Sequence, residues 1–226
     1  MKDGESLLPS GKPSIVNSFA ARPVALADLR IPAPVKAGAR VRVIGVQDGM
    51  LLTKKYLEAP CCENGEIVSD TARDILKIAV VNRYNAGVPP AVGLVSGFGL
   101  ARGAIASSVS HDSHNVIAVG ATDTALAAAI NAVILRKGGL AVADNNSRVA
   151  AVLPLPIAGL MSDRPAKEVA SGYDDCDTLA KMLGSQLPAP FMTLSFLALP
   201  VIPELKITDK GLFDGKTFKR VPLVAE

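Results

Sequence analysis

Residues 116–143 read VIAVGATDTALAAAINAVILRKGGLAVA, and they hold a complete strand, helix, strand unit. Val116-Ile117-Ala118-Val119-Gly120 is a branched apolar run of strand length. Thr122 or Asp123 stands where a side-chain oxygen can cap a helix. Leu126, Ile130, Val133 and Ile134 then recur at helical spacing on one face. Arg136 and Lys137 put cations in the last turn, and Gly138 is free to take the left-handed conformation that ends a helix. Leu140-Ala141-Val142-Ala143 resumes as strand, so the unit predicts a right-handed crossover and a chain that mixes sheet with helix.

On the N-terminal side, Arg40-Val41-Arg42-Val43-Ile44-Gly45-Val46 alternates charged and branched residues as a half-exposed strand does. A turn at Asp48-Gly49 joins it to residues 51–57 as a hairpin. Residues 61–66 read as a loop and 76–81 as a strand. Residues 85–90 form a turn, and 91–100 and 103–109 read as two more strands. On the C-terminal side, residues 149–153 are a strand stopped by Pro154 and Pro156. A second helix is signalled by Ser162 or Asp163 as cap and Pro165 in its first turn. Its apolar stripe is Val169, Tyr173, Cys176, Leu179 and Leu183, and Gly184 ends it. Residues 192–199 form a short helix or strand, and proline-broken irregular chain follows. The expected fold is α+β, a mixed or mostly antiparallel sheet with helices packed outside, an α/β/β/α layered sandwich being its specific version. Residues 1–38, broken by Pro9, Pro13, Pro23, Pro32 and Pro34, read as an extended arm or linker, and residues 39–226 as the domain.

With 49% apolar residues over 226, the chain has enough material for a substantial core. Aromatics at 4% leave that core to Val, Leu, Ile and Ala. The net charge of +3 is scattered, so neither a nucleic-acid footprint nor a polybasic membrane patch is visible. Three cysteines, two of them the adjacent Cys61 and Cys62, argue for a reducing compartment and against a disulfide scaffold. The polar start lacks the apolar core of a signal peptide, and residues 191–202 fall short of the roughly 20 a membrane-spanning helix requires. These features together predict a soluble cytoplasmic protein.

The chemistry-bearing residues concentrate in Ser107-Ser108-Val109-Ser110-His111-Asp112-Ser113-His114-Asn115, which holds both histidines. A polar knot between two strand-like runs is a strand end or hairpin loop, a common place for functional side chains. In a strand, His111 and His114 point to opposite faces. In a turn they converge on one ion or substrate, or they satisfy backbone groups of a tight loop. Ser107, Ser108 and Ser110 beside His111 invite a Ser-His-Asp reading, but no nucleophile elbow accompanies them. Gly97-Phe98-Gly99 followed by Gly103 has the wrong spacing for a dinucleotide fingerprint, and strand rather than helix follows it. Phe98 offers a flat face for a planar ligand or packs in the core.

Several of these motifs resemble the C-terminal domain of bacterial adenine deaminase, in the amidohydrolase superfamily. They are Arg42-Val43-Ile44-Gly45-Val46, Phe98-Gly99-Leu100 with residues 102–109, His111-Asp112-Ser113-His114-Asn115, residues 153–162 and residues 190–205. Asn17-Ser18-Phe19 and Val221-Pro222-Leu223 carry the resemblance to both ends of the chain. It implies purine salvage by hydrolysis of adenine to hypoxanthine and ammonia, with a metal-bound hydroxide attacking the carbon that bears the amino group. It further implies a binuclear iron or manganese centre in a (β/α)8 barrel preceding this domain. A barrel takes about 250 residues, and neither it nor a His-x-His motif is in this sequence. The expectation is therefore one domain of a deaminase, partnered by the barrel and by adenine or hypoxanthine and assembled as a homo-oligomer. Phe98, Ser108, His111, Asp112, His114 and Asn115 are its candidate substrate-binding or pocket-shaping residues, and His111 and His114 the candidates for metal ligands. Two other readings stay open: a purine-binding module in which Phe98 stacks and Asn115 or Asp112 reads a purine edge, and an independent metal site on the two histidines.

Overall fold

The strand, helix, strand unit is present in the computed structural model, which describes residues 15–36 and 38–225. Strand β8 (Val116–Gly120) leads into helix α1 (Asp123–Leu135), and strand β9 (Gly139–Ala143) follows. β8 and β9 do not pair with each other. Strand β7 (Ala104–Ser107) runs between them antiparallel to both, so β8 and β9 are parallel and α1 crosses over β7.

Residue size explains why α1 settles on this face. The positions turned toward it are mostly small, with Ala79, Ala104, Ala106, Ala118, Ala141 and Ala143 packed against Leu126, Ile130 and Val133. The alternate positions of the same strands, Ile78, Ile105, Ile117, Val119, Leu140 and Val142, face the other side. Each such aliphatic side chain, fully buried, contributes about 1.5–3 kcal/mol. Thr122 caps α1 through its Oγ1, which accepts from the Ala125 N–H at 3.2 Å. At the other end the left-handed position falls to Lys137 (φ 54°), with Gly138 N–H bonded to Val133 O at 3.0 Å. Gly138 was the expected occupant, but the glycines are needed one step later. A Cβ on Gly139 (φ 133°) would collide with the Leu153 carbonyl of the neighbouring strand.

The main sheet continues through β5 (Leu76–Val81), β6 (Ala91–Ser96), β1 (Arg40–Gly45) and β14 (Val224–Ala225) on the β8 side, and through β10 (Val149–Pro154) beyond β9. β2 (Lys54–Glu58) pairs with β1. Among the described residues only the β1–β6 pair is parallel, so the sheet is mixed and mainly antiparallel. Helices α2 (Ala166–Met182) and α3 (Pro190–Ser195) cover its second face. Over β6 and β1 that face meets a small sheet of β11 (Leu205–Thr208), β12 (Gly211–Asp214) and β13 (Lys219–Arg220). The methyls of Leu212 and Ile207 stand 3.1 and 3.2 Å from where a Gly93 Cβ would be. The fold is thus α+β as expected. The layering is helix, sheet, helix at one end and sheet on sheet at the other.

Three local expectations, the α2 cap, the irregular tail and the 61–66 loop, differ from the structure. α2 starts after Pro165, with no side-chain cap; the Ser162 hydroxyl instead accepts from the Arg164 N–H at 3.2 Å in a turn of its own. The tail expected to be irregular carries the β11–β12 hairpin, and the loop at 61–66 carries a short one, β3 (Cys62–Glu63) with β4 (Glu66–Ile67). The described part of the arm is docked along α1 and folds a 3₁₀ turn at Leu26–Leu29. Asn131 both donates to Val24 O and accepts from Val24 N–H, at 3.0 and 2.7 Å. Pro9 and Pro13 lie outside the described residues. Among the described residues no helix is long and apolar enough to cross a membrane.

Candidate functional site

Strand register places the histidine knot. Val81 pairs with Val116, Ser107 with Ile117 and Leu140, and Gly139 with Pro154, so five strand ends and their connections share one edge of the sheet. Ser107 starts the turn there, its Oγ accepting from the Val109 N–H at 2.9 Å. His114 N–H then bonds to Ser110 O at 2.7 Å and closes it. His111 N–H donates to Ser195 O at 2.9 Å, which ties the turn to the end of α3.

The turn brings His111 and His114 together, with ring centroids 5.5 Å apart and planes at 67°. His111 also lies on Phe196, 4.7 Å between centroids. Both imidazoles are half-buried, while Asp112 and Ser113 are exposed. Burial, followed by the nearby His111 and Arg83 charges, lowers the His114 pKa from its ordinary value, with Asp112 opposing. The His114 Nδ1 accepts a long hydrogen bond from the Ser110 N–H at 3.4 Å.

Ser108 and Asn115 lie beneath this surface. The Ser108 hydroxyl donates to Gly159 O at 2.6 Å and accepts from Gly139 N–H at 2.8 Å, joining the two loops that flank the turn. Asn115 accepts from Arg83 N–H at 3.1 Å and donates to Ser113 Oγ at 3.2 Å. Both are buried, with no open face. Phe98 is elsewhere: it follows β6 at the opposite edge of the sheet and is fully buried in the core, so it presents no ring to a planar ligand. A purine-binding module that depends on Phe98 stacking loses its main contact.

Arg83 and Tyr84, which no motif marks, also lie at this edge. Arg83 is 5% exposed and forms no ion pair among the described residues. Its guanidinium donates to Ala158 O at 2.6 Å and to Tyr84 Oη at 2.9 Å, and Nε has no partner. Tyr84 passes the connection on to Ser113 O at 2.8 Å. The only sequence signal is a polar Asn-Arg-Tyr-Asn run directly after strand 76–81.

Beside the turn, between α2, α3 and β7, β9 and β10, opens a cavity of about 610 Å³ lined by Val109, Leu155, Met161, Tyr173, Phe191 and Met192. A smaller hollow of about 280 Å³ shares Met192 with it and reaches Met50, Leu51 and Phe196. Both are mainly apolar, so they suit hydrophobic side chains better than a charged substrate.

Metal binding does not fit this edge. Among the described residues no group of three or more His, Cys, Asp or Glu side chains is placed to hold an ion. The expectation of a metal on His111 and His114 therefore finds no third ligand, and the His114 Nδ1 is already turned to a backbone N–H. Cys61 and Cys62 are free and solvent-accessible, far in sequence from the turn. Burial pushes the Cys176 thiol up to about 11, which leaves it inert.

The family described as adenine deaminase C-terminal domain matches residues 50–219. The adenine deaminase of Salinibacter ruber is 51% identical over 221 residues, which is 97% of this chain and 39% of that protein. The adenine deaminase of Methanothrix thermoacetophila is 50% identical over 204 residues, 90% of this chain and 35% of its own length. That of Syntrophobacter fumaroxidans is 47% identical over 227 residues, 98% of this chain and 38% of its own. The chain spans about two fifths of the length of the curated relatives it matches.

Proposed function

The chain belongs to the adenine deaminase C-terminal domain family, and from that premise we propose that it serves as this domain of an enzyme hydrolysing adenine to hypoxanthine and ammonia. The carrying observation is the asymmetry of the match, which covers 97% of this chain but 39% of the Salinibacter protein. The chemistry is assigned to the remaining portion, an amidohydrolase barrel with iron or manganese. When bound there, the metal supplies a water of lowered pKa as nucleophile. No step of that chemistry is assigned to side chains of this chain.

In this reading residues 39–226 are the domain and residues 1–38 its connector. His111, Asp112 and His114 shape the mouth of the substrate pocket, held in place by Ser108 and Asn115 from below. The half-exposed rings and the hydrogen-bonded floor support that division of labour. The enzyme acts in purine salvage in the cytoplasm, as a homo-oligomer.

The test is adenine turnover followed by ammonia release. The purified chain alone, supplied with iron or manganese, is expected to show none, and addition of the cognate catalytic portion restores it. Robust deamination by the isolated chain would overturn the assignment.

A further inference from the structure

We infer that the apolar surface centred on Met192, from the large cavity behind α2 to the β1–β2 loop, is the face on which the catalytic portion of the deaminase docks. This rests on the function proposed above and names the surface through which it operates.

Met161, Met192, Met50 and Leu51 are 56, 53, 52 and 49% exposed, and the two hollows that join at Met192 connect them. A soluble domain does not leave a contiguous apolar surface with two open hollows unless something covers it. Methionines, unbranched and polarizable, adapt to an opposing surface better than the branched residues of the core. The border is polar, with Ser162 and Arg164 at the large cavity, as at interfaces with an apolar centre and a polar rim. No ion pair among the described residues uses Arg164, so the occupant is expected to bring apolar side chains flanked by a carboxylate.

The connector enters at the rim of this surface. Val16 O accepts from Ala158 N–H at 2.7 Å, and Asn17 donates to Pro156 O at 3.0 Å. These bonds fix the connector to the loop whose Leu155, Leu160 and Met161 line the large cavity. In relatives such as the Salinibacter protein about three fifths of the length lies outside the match. A body tethered at that rim is held at a high effective concentration against the adjoining surface.

Thiol accessibility tests this. Met161→Cys, Met192→Cys and, on the α1 side, Leu135→Cys are made in a Cys61→Ser, Cys62→Ser background. Each is made in the isolated chain and in a full-length chimera where the chain replaces the matching 221 residues of the Salinibacter protein. With maleimide, the two methionine positions should label roughly tenfold more slowly or less in the chimera, and the Leu135 position within about twofold of its isolated rate, as a covered interface core and a free surface require. Equal rates at the methionine positions in both proteins overturn the inference. So does protection of Leu135→Cys alone, or protection already present in the isolated chain because it dimerises through this face. Labelling of the buried Cys176 reports a chimera that has not folded, and the Salinibacter catalytic portion is then added in trans and read at the same positions. Adenine turnover is measured separately: protected methionines in an inactive chimera refute the deaminase reading while leaving the docking face standing.

Discussion

The His111 imidazole lies against the Phe196 ring at 4.7 Å between centroids, with the planes inclined at 33°. With the His111 N–H bond to Ser195 O, this contact fastens the histidine turn to the segment after α3. The ring's shape, more than its proton, does that work. His111→Ala is expected to cost about 1 kcal/mol in urea unfolding, the worth of one aromatic contact, and His111→Phe to restore most of it. Equal losses in the two variants would mean that the stack is not what holds the turn.

The same geometry bears on metal binding. Two imidazoles set edge to face, one with its Nδ1 directed at the Ser110 N–H, make a poor chelate. Elemental analysis of the purified chain is expected to give the same metal content for the wild type and for the His111→Ala, His114→Ala double variant. A stoichiometric ion lost in the double variant would restore the independent metal site.

Ser108→Ala removes the hydroxyl that joins Gly139 to Gly159. It leaves a buried N–H and a buried carbonyl without that partner, at a cost of about 1–3 kcal/mol. Loosening should spread to Arg83, whose guanidinium packs so closely on Gly159 that a Cβ there would overlap it. Ser108→Ala is expected to lower the urea midpoint and to speed amide exchange in the 155–161 loop, whereas Ser18→Ala, at an exposed position, does neither. An unchanged midpoint would show that water replaces the hydroxyl.

The central unit was legible because it is long and periodic. Thr122 capped the helix as read, and Leu126, Ile130, Val133 and Ile134 are buried. The histidine turn was legible as polar residues set in an apolar run. What escaped depended on partners remote in sequence. Phe98 is fully buried beside an Asp74 carboxylate that accepts from the N–H groups of Gly97 and Gly99, at 2.6 and 2.8 Å, and nothing local to Gly97-Phe98-Gly99 announces that pairing. Arg83 escaped for the same reason, since Ala158 lies 75 positions away. The tail strands β13 and β14 are two residues each, too short for alternation to show.

Lys206 gives the pH prediction. Its side chain, on strand β11 of the small sheet, is fully buried, its ammonium donates to Leu51 O at 2.8 Å, and burial holds its pKa down to about 8 from the ordinary 10.5. Below about 8 both folded and unfolded chains carry the proton, so the folded state bears the full cost of a buried charge. Between about 8 and 10.5 the unfolded chain keeps the proton that the folded chain sheds, and stability rises with pH. A shift of this size corresponds to a rise on the order of 3 kcal/mol across that window. Lys206→Met removes the titrating group, so the variant should exceed the wild type in stability by most at neutral pH and by least near pH 10.5. Urea unfolding of both proteins from pH 7 to 10.5 measures the difference directly. A gap that stays constant over the range would show that Lys206 is not charged against its surroundings.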